Sequence, residues 1–194
     1  VNELVPFGKA ESPYGETKQL CEKLIEKSEI NSISLRYFNP IGAHKSGLIG
    51  DCSLDKPSNL VPIITQVAAK KNKKLLVFGN DYNTKDGSCV RDYIHVQDLS
   101  ISHVKAILYL FENPGKFVFN VGSGKGVSVL EIITKFQEAN SVIVPYQVVS
   151  RREGDVEKIY ASTEKIEKEL NWKTQTTLEQ ALKDAWNWEL NKSL

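Results

Sequence analysis

Residues 89–121 read CVRDYIHVQDLSISHVKAILYLFENPGKFVFNV, and this stretch decides the fold class. Cys89 to Val96 reads as a strand, rich in β-branched and aromatic residues. Gln97 to Glu112 reads as a helix. Phe117 to Val121 is a second strand with the apolar character of a buried sheet. Strand, helix and strand in immediate succession argue for an α/β chain.

The alternation continues on both sides. Ser12-Pro13 supplies an N-cap and a proline at the first helical position, so a helix is expected to about Ser28. Ile33 to Phe38 is a short strand. Residues 39–58 contain Pro40, Gly42, Gly47, Gly50 and Pro57 and are expected as one long loop, a length usually tied to function or disorder. A helix from about Asn59 to Lys71 and a strand from Leu75 to Phe78 follow, then a polar loop from Gly79 to Ser88. Residues 128–140 read as helical, 142–149 and 157–161 as extended. Helices at about 163–170 and 177–190 close the chain.

Composition narrows the function. The chain has 194 residues, 41% hydrophobic and 25% charged, enough for one domain and short for two. Lys+Arg is 25 against 24 Asp+Glu, so there is no electrostatic footprint for nucleic acid or an anionic membrane. No apolar run approaches the ~18 residues of a spanning helix. Cys21, Cys52 and Cys89 form no CxxC pair, so neither a disulfide framework nor a metal site is expected, and a reducing, cytoplasmic setting is. There is no Met, which, with the motifs below, leads us to expect a piece of a longer chain.

Four segments carry possible chemistry. Tyr14 and Lys18 are one helical turn apart and share a face with Cys21 and Ile25. An ammonium beside a phenol stabilises the phenolate and lowers its pKa from about 10, which suits a general base. A surface tyrosine with a snorkelling lysine gives the same spacing. Next, Leu35-Arg-Tyr-Phe-Asn39-Pro-Ile-Gly-Ala43 runs from a strand into a loop, placing Asn39 at a strand's carboxyl end, where open α/β sheets bind ligands. Third, Arg91 stands in a mostly apolar strand and needs an anionic partner. Asp92 or Asp98 would serve, as would a phosphate, which the guanidinium fork suits. Fourth, Ser150-Arg-Arg-Glu-Gly-Asp155 suggests a charged ligand or a solvated charged loop. Gly122-Ser-Gly124-Lys-Gly126 lacks the dinucleotide-fingerprint spacing, with no acidic residue after the next strand, and reads as a tight strand-to-helix turn.

In this order the segments resemble the C-terminal portion of the UDP-glucose 4-epimerases, also called UDP-galactose 4-epimerases, within the extended short-chain dehydrogenase/reductase family. The resemblance runs from about Ser12 to Glu189 and is most specific at Arg36–His44, Phe78–Asp98, Arg151–Asp155 and Leu170–Trp172. Nucleotide-sugar dehydratases and decarboxylases share the Tyr-x-x-x-Lys spacing but not the long 78–98 segment.

The resemblance implies a partial doubly wound parallel sheet, a Rossmann-like remnant, plus a smaller α/β substrate-binding domain. Residues 1–40 would close the cofactor domain. Residues 41–194 would mostly bind UDP-sugar, with about 90–125 packing back on the sheet. Tyr14 would be the catalytic base and Lys18 its partner, both contacting NAD, with Phe38 a further cofactor contact. Asn39, Asn59 and Leu60 would hold the diphosphate-sugar. Leu76, Val77 and Phe78 would run beside the uracil, mainly through backbone. Arg91 and Arg152 would clamp the diphosphate, Asp155 would bind ribose, and Ile159 would wall the sugar pocket. The implied reaction is epimerisation at carbon 4 of UDP-glucose or UDP-galactose. Tyrosinate takes the 4-hydroxyl proton while NAD accepts and then returns hydride on the other face. UDP-N-acetylhexosamines are possible further substrates, and the full-length protein is expected as a homodimer.

The chain departs from the family in two ways. It contains no GxxGxxG turn to hold the NAD pyrophosphate, and no Ser or Thr of the proton relay upstream of Tyr14. The isolated chain is therefore expected to be inactive. A non-catalytic UDP-sugar-binding fragment and a related dehydratase or decarboxylase are the alternatives.

Overall fold

The computed structural model describes residues 1–10, 12–52 and 57–192. The first helix, α1 (Pro13–Lys27), starts where the serine hydroxyl of Ser12 accepts a hydrogen bond from the Gly15 amide. None of its residues is buried. It is tied to the next strand, β1 (Ser32–Tyr37), by Arg36, whose guanidinium donates to both carboxylate oxygens of Glu22 at 2.8 and 2.7 Å.

Along β1 runs β5 (Lys116–Val121), parallel and in register from Ser32↔Lys116 to Tyr37↔Val121. Both strands then leave this pair for a second sheet. After Phe38 the chain forms β2 (Asn39–Ile41), parallel to β4 (Val90–His95). After Val121 it turns and forms β6 (Gly126–Ser128), antiparallel to β4. A third sheet pairs β3 (Leu75–Phe78) with β7 (Tyr146–Val149) in parallel. The remaining helices are α2 (Leu60–Ala68), α3 (Val96–Glu112), α4 (Val129–Asn140), α5 (Glu164–Leu170) and α6 (Leu178–Asn191). The architecture is α/β with parallel pairing, as expected from the strand–helix alternation.

Three expectations need correction. Residues 39–58 are not one loop, because Asn39–Ile41 pairs with β4; residues 53–56 of that segment lie outside the described part. Gly122 to Gly126 is not only a turn, because Gly126 already belongs to a strand. Residues 157–161 form one isolated bridge, Val90 to Lys158, instead of a strand.

Two apolar clusters hold these elements. One gathers Val61, Ile64, Leu75, Val77, Phe136 and Leu182 from α2, β3, α4 and α6. The other packs Phe119 and Val121 against Ile94, Ile166, Leu170 and Trp172. At the centre of the polar wiring stands Asp92, fully buried. Its Oδ1 accepts from the Ser123 amide and hydroxyl, and its Oδ2 from the amides of Gly124 and Ala161. One carboxylate thus fixes β4, the turn after β5 and the segment at 161.

Candidate functional site

A cavity of about 730 Å³ opens where β1 passes into β2, at the carboxyl ends of the first strand pair. Open α/β sheets place their ligands at this kind of crossing. Tyr14, Phe38 and Asn39 border it on one side, Asn59 and Leu60 at the start of α2, and Arg91, Arg152 and Asp155 elsewhere.

Tyr14 is 71% exposed, so its hydroxyl is open to a ligand. The Lys18 ammonium stands 5.1 Å from the centre of its ring. Lys18 is itself exposed and does not line the cavity. Asn39 donates its side-chain amide to the Asp92 carbonyl at 2.8 Å, which anchors it on β4.

Arg91 donates from Nη1 to the Val90 carbonyl at 3.0 Å, and neither of the two expected aspartates is its charge partner. Asp92 is saturated by four donors, and Asp98 accepts from the amides of Gln175 and Thr176. Instead, Arg91 Nη2 lies 3.6 Å from Asp155 Oδ1, and Arg152 Nη2 lies 2.7 Å from the same oxygen. The hydrogen bond to Asp155 holds the Arg152 guanidinium above its ordinary pKa. The turn that delivers Asp155 needs Gly154 at φ 79°, a left-handed conformation costly for other residues. Arg152 also stands 5.6 Å from the centre of the Phe78 ring.

Along β3, Leu76 and Phe78 line the cavity and Val77 points into the core; Leu75, at the start of the strand, is buried in the core and also borders the cavity. Ile159 is half-buried and is not among the lining residues; its amide donates to the Val90 carbonyl. Tyr160 leans over Gly126, where an added Cβ would meet its ring at 2.9 Å.

Among the lining residues that the sequence had not singled out are Tyr37, Cys89, Tyr93 and Val129. Cys89 and Tyr93 lie two residues either side of Arg91, so the period-two rule would have found them. Val129 opens α4 and carried no local signal. Burial pushes the Tyr93 phenol well up, so at neutral pH it is a neutral hydrogen-bonding group and not a base.

For a nicotinamide cofactor, the residues fit one end only. The exposed phenol, the ammonium and the aromatic edge of Tyr37 and Phe38 suit a ribose and a flat ring. The 194 residues contain no GxxGxxG turn for a pyrophosphate.

Residues 1–185 match the family model described as GDP-mannose 4,6 dehydratase. UDP-glucose 4-epimerase 2 of Arabidopsis thaliana is 47% identical over 188 residues, covering 94% of this chain and 54% of that protein. UDP-glucose 4-epimerase of Haemophilus influenzae is 41% identical over 196 residues, covering 98% and 58%. The crystal structure of UDP-glucose-4-epimerase from Stenotrophomonas maltophila, with bound NAD and formylated UDP-arabinopyranose, matches with a TM-score of 0.96 at 41% identity. It is covered over 59% of its length by all of this chain. The chain spans about half the length of the curated relatives it matches. No helix of the described residues is long and apolar enough to cross a membrane. With the fold, the cavity and these matches in agreement, the chain belongs to the family described as GDP-mannose 4,6 dehydratase, and the relatives it resembles there are UDP-glucose 4-epimerases.

Proposed function

We propose that the whole protein is an NAD-dependent epimerase acting at carbon 4 of a UDP-hexose, interconverting UDP-glucose and UDP-galactose. One observation carries this reading: a single cavity is bordered by an exposed tyrosine and by two arginines joined through Asp155. A base and a diphosphate clamp are the two things such a reaction asks of its side chains. The names of relatives at 47% and 41% identity favour epimerisation over dehydration or decarboxylation.

Tyr14 takes the proton of the sugar 4-hydroxyl, and the ammonium of Lys18 favours its phenolate form. NAD, when bound, supplies the acceptor for the carbon-4 hydride. Tyr14, Lys18 and Phe38 would hold its nicotinamide end. Arg91 and Arg152 neutralise the diphosphate, and Asp155 accepts from ribose hydroxyls. Asn39, Asn59 and Leu60 hold the sugar and diphosphate, and the backbone of Leu76, Val77 and Phe78 runs beside the uracil. Residues 1–40 belong to the cofactor domain and 41–194 mostly to the UDP-sugar domain, with β5 returning to pair with β1. The whole protein is a cytoplasmic homodimer of galactose metabolism. UDP-N-acetylhexosamines are further substrates, a reading that rests on the family resemblance at Ile159, which does not itself line the cavity.

A coupled NADH assay of UDP-galactose conversion by the whole protein, beside a UDP titration of this chain, tests the proposal. Turnover together with UDP binding supports it. Binding by the chain without turnover by the whole protein leaves only a non-catalytic UDP-sugar-binding unit. Absence of UDP binding removes both readings.

A further inference from the structure

Arg151 and Arg152 are adjacent and do different work. They follow β7, and successive side chains of an extended chain face opposite ways. Arg152 turns to the cavity, over Phe78 and against Asp155. Arg151 does not line the cavity. It grips the turn after β3: its Nε donates to Asp81 Oδ1 at 2.7 Å and its Nη2 to the Asp81 carbonyl at 2.6 Å. Its guanidinium carbon lies 4.1 Å from the centre of the Tyr82 ring.

Gly79 leaves room for this grip. An added Cβ there would come within 2.9 Å of Arg151 Cγ and 2.5 Å of Tyr82 Cε2. The Gly79 amide also donates to the Val149 carbonyl at 2.9 Å, extending the β3–β7 pairing to the edge of the turn. Side-chain fork, ring face and backbone pairing therefore converge on one small turn, with Arg152 the next residue along the chain.

We propose that Arg151 is a positioning residue: its latch on Asp81 and Tyr82 sets where Arg152 presents its guanidinium to a nucleoside diphosphate. The inference rests on the UDP-sugar reading above. Only arginine supplies two parallel donors and a flat face for stacking, so lysine would not replace it. Asp81 and Arg151 are largely exposed, and exposed ion pairs add little to folding. The latch therefore acts on ligand affinity and not on stability.

The test is calorimetric titration of this chain and three variants, Arg151→Ala, Asp81→Ala and Arg152→Ala, with UDP and with uridine. Arg151→Ala and Asp81→Ala are each expected to weaken UDP binding about tenfold, a coupling ordinary for touching residues, while uridine affinity and the unfolding midpoint hold. In the Arg152→Ala background, adding Arg151→Ala is expected to change nothing further, because the latch has lost what it positions. An undiminished loss in that background would mean that Arg151 touches the diphosphate itself, and would overturn the proposal. Equal losses for UDP and uridine, or no loss from either latch variant, would overturn it too. Failure of the unmutated chain to bind UDP would remove the UDP-sugar reading and this inference with it, and would be evident before any variant is compared.

Discussion

Arg91 Nη2 and Asp155 Oδ1 lie 3.6 Å apart, joining a mid-chain strand to a turn near the chain's end. The same oxygen accepts from Arg152, so one carboxylate spaces two guanidinium groups that would otherwise repel. Removing it frees two like charges and deletes the proposed ribose acceptor. We predict that Asp155→Ala weakens UDP binding about tenfold to hundredfold, the range for a lost hydrogen bond to a charged group. Unchanged affinity by calorimetry would refute this.

Tyr14 offers a cleaner separation of binding from chemistry. Because it is 71% exposed, deleting its hydroxyl leaves packing intact. In the whole protein, Tyr14→Phe is expected to lower kcat ~10²–10⁴-fold, the usual worth of general acid–base catalysis, with UDP affinity preserved. Near-normal turnover in the coupled assay would remove Tyr14 from its role.

Sugar scope gives a third expectation. Ile159 does not itself line the cavity, but it is half-buried on the segment that carries Asp155 into it, and only a longer side chain there, such as tyrosine, could reach the sugar. Ile159→Tyr is expected to shift the ratio of turnover on UDP-N-acetyl sugars to that on UDP-galactose by a factor of about 10–200, the worth of steric discrimination in an apolar pocket. Equal losses on both sugars would show that Ile159 does not set the ratio.

Asp92 allows an isosteric test of stability. Both carboxylate oxygens face two donors each. In Asp92→Asn, whichever way the amide points, its NH₂ meets hydrogen-bond donors and a buried group is left unpaired. The expected cost is about 1–3 kcal/mol, read as a fall in the denaturant midpoint at constant slope. A midpoint within error of the unmutated chain would contradict it.

Glu189 gives a pH dependence with a definite sign. Burial pushes its carboxyl up, but hydrogen bonds from Lys192 and Lys71 outweigh this and hold it below the ordinary 4.5. A depressed folded pKa means stabilisation that is present above the unfolded value and lost as pH falls through the folded one. As pH falls from neutral through and below the ordinary carboxylate range, the unmutated chain is therefore expected to lose Tm more steeply than Glu189→Gln. Parallel melting curves would exclude the carboxylate as a source of acid sensitivity.

The sequence by itself determined the elements whose signals are local. Ser12-Pro13 announced α1, and Leu75–Phe78 was delimited to the residue by the breakers around it. The motif order placed Tyr14, Asn39, Arg91 and Asp155 among candidate site residues, and all four line one cavity. Strands β2 and β6, three residues each, escaped because so short a run has no period of its own; they exist because β4 offers an edge on either side. Only the tertiary structure decided which charge meets which. Arg91 has Asp92 and Asp98 nearby in the chain, yet Asp92 is taken by three backbone amides and the Ser123 hydroxyl and Asp98 accepts from two backbone amides, and Asp155 takes the role. The resemblance had set Arg152 apart from Arg151, but the reason lies in the pairing of β7 with β3, which sends Arg151 to Asp81 and Arg152 to the cavity. Capping and alternation act within a few residues, whereas a side chain's partner depends on every segment that folds against it.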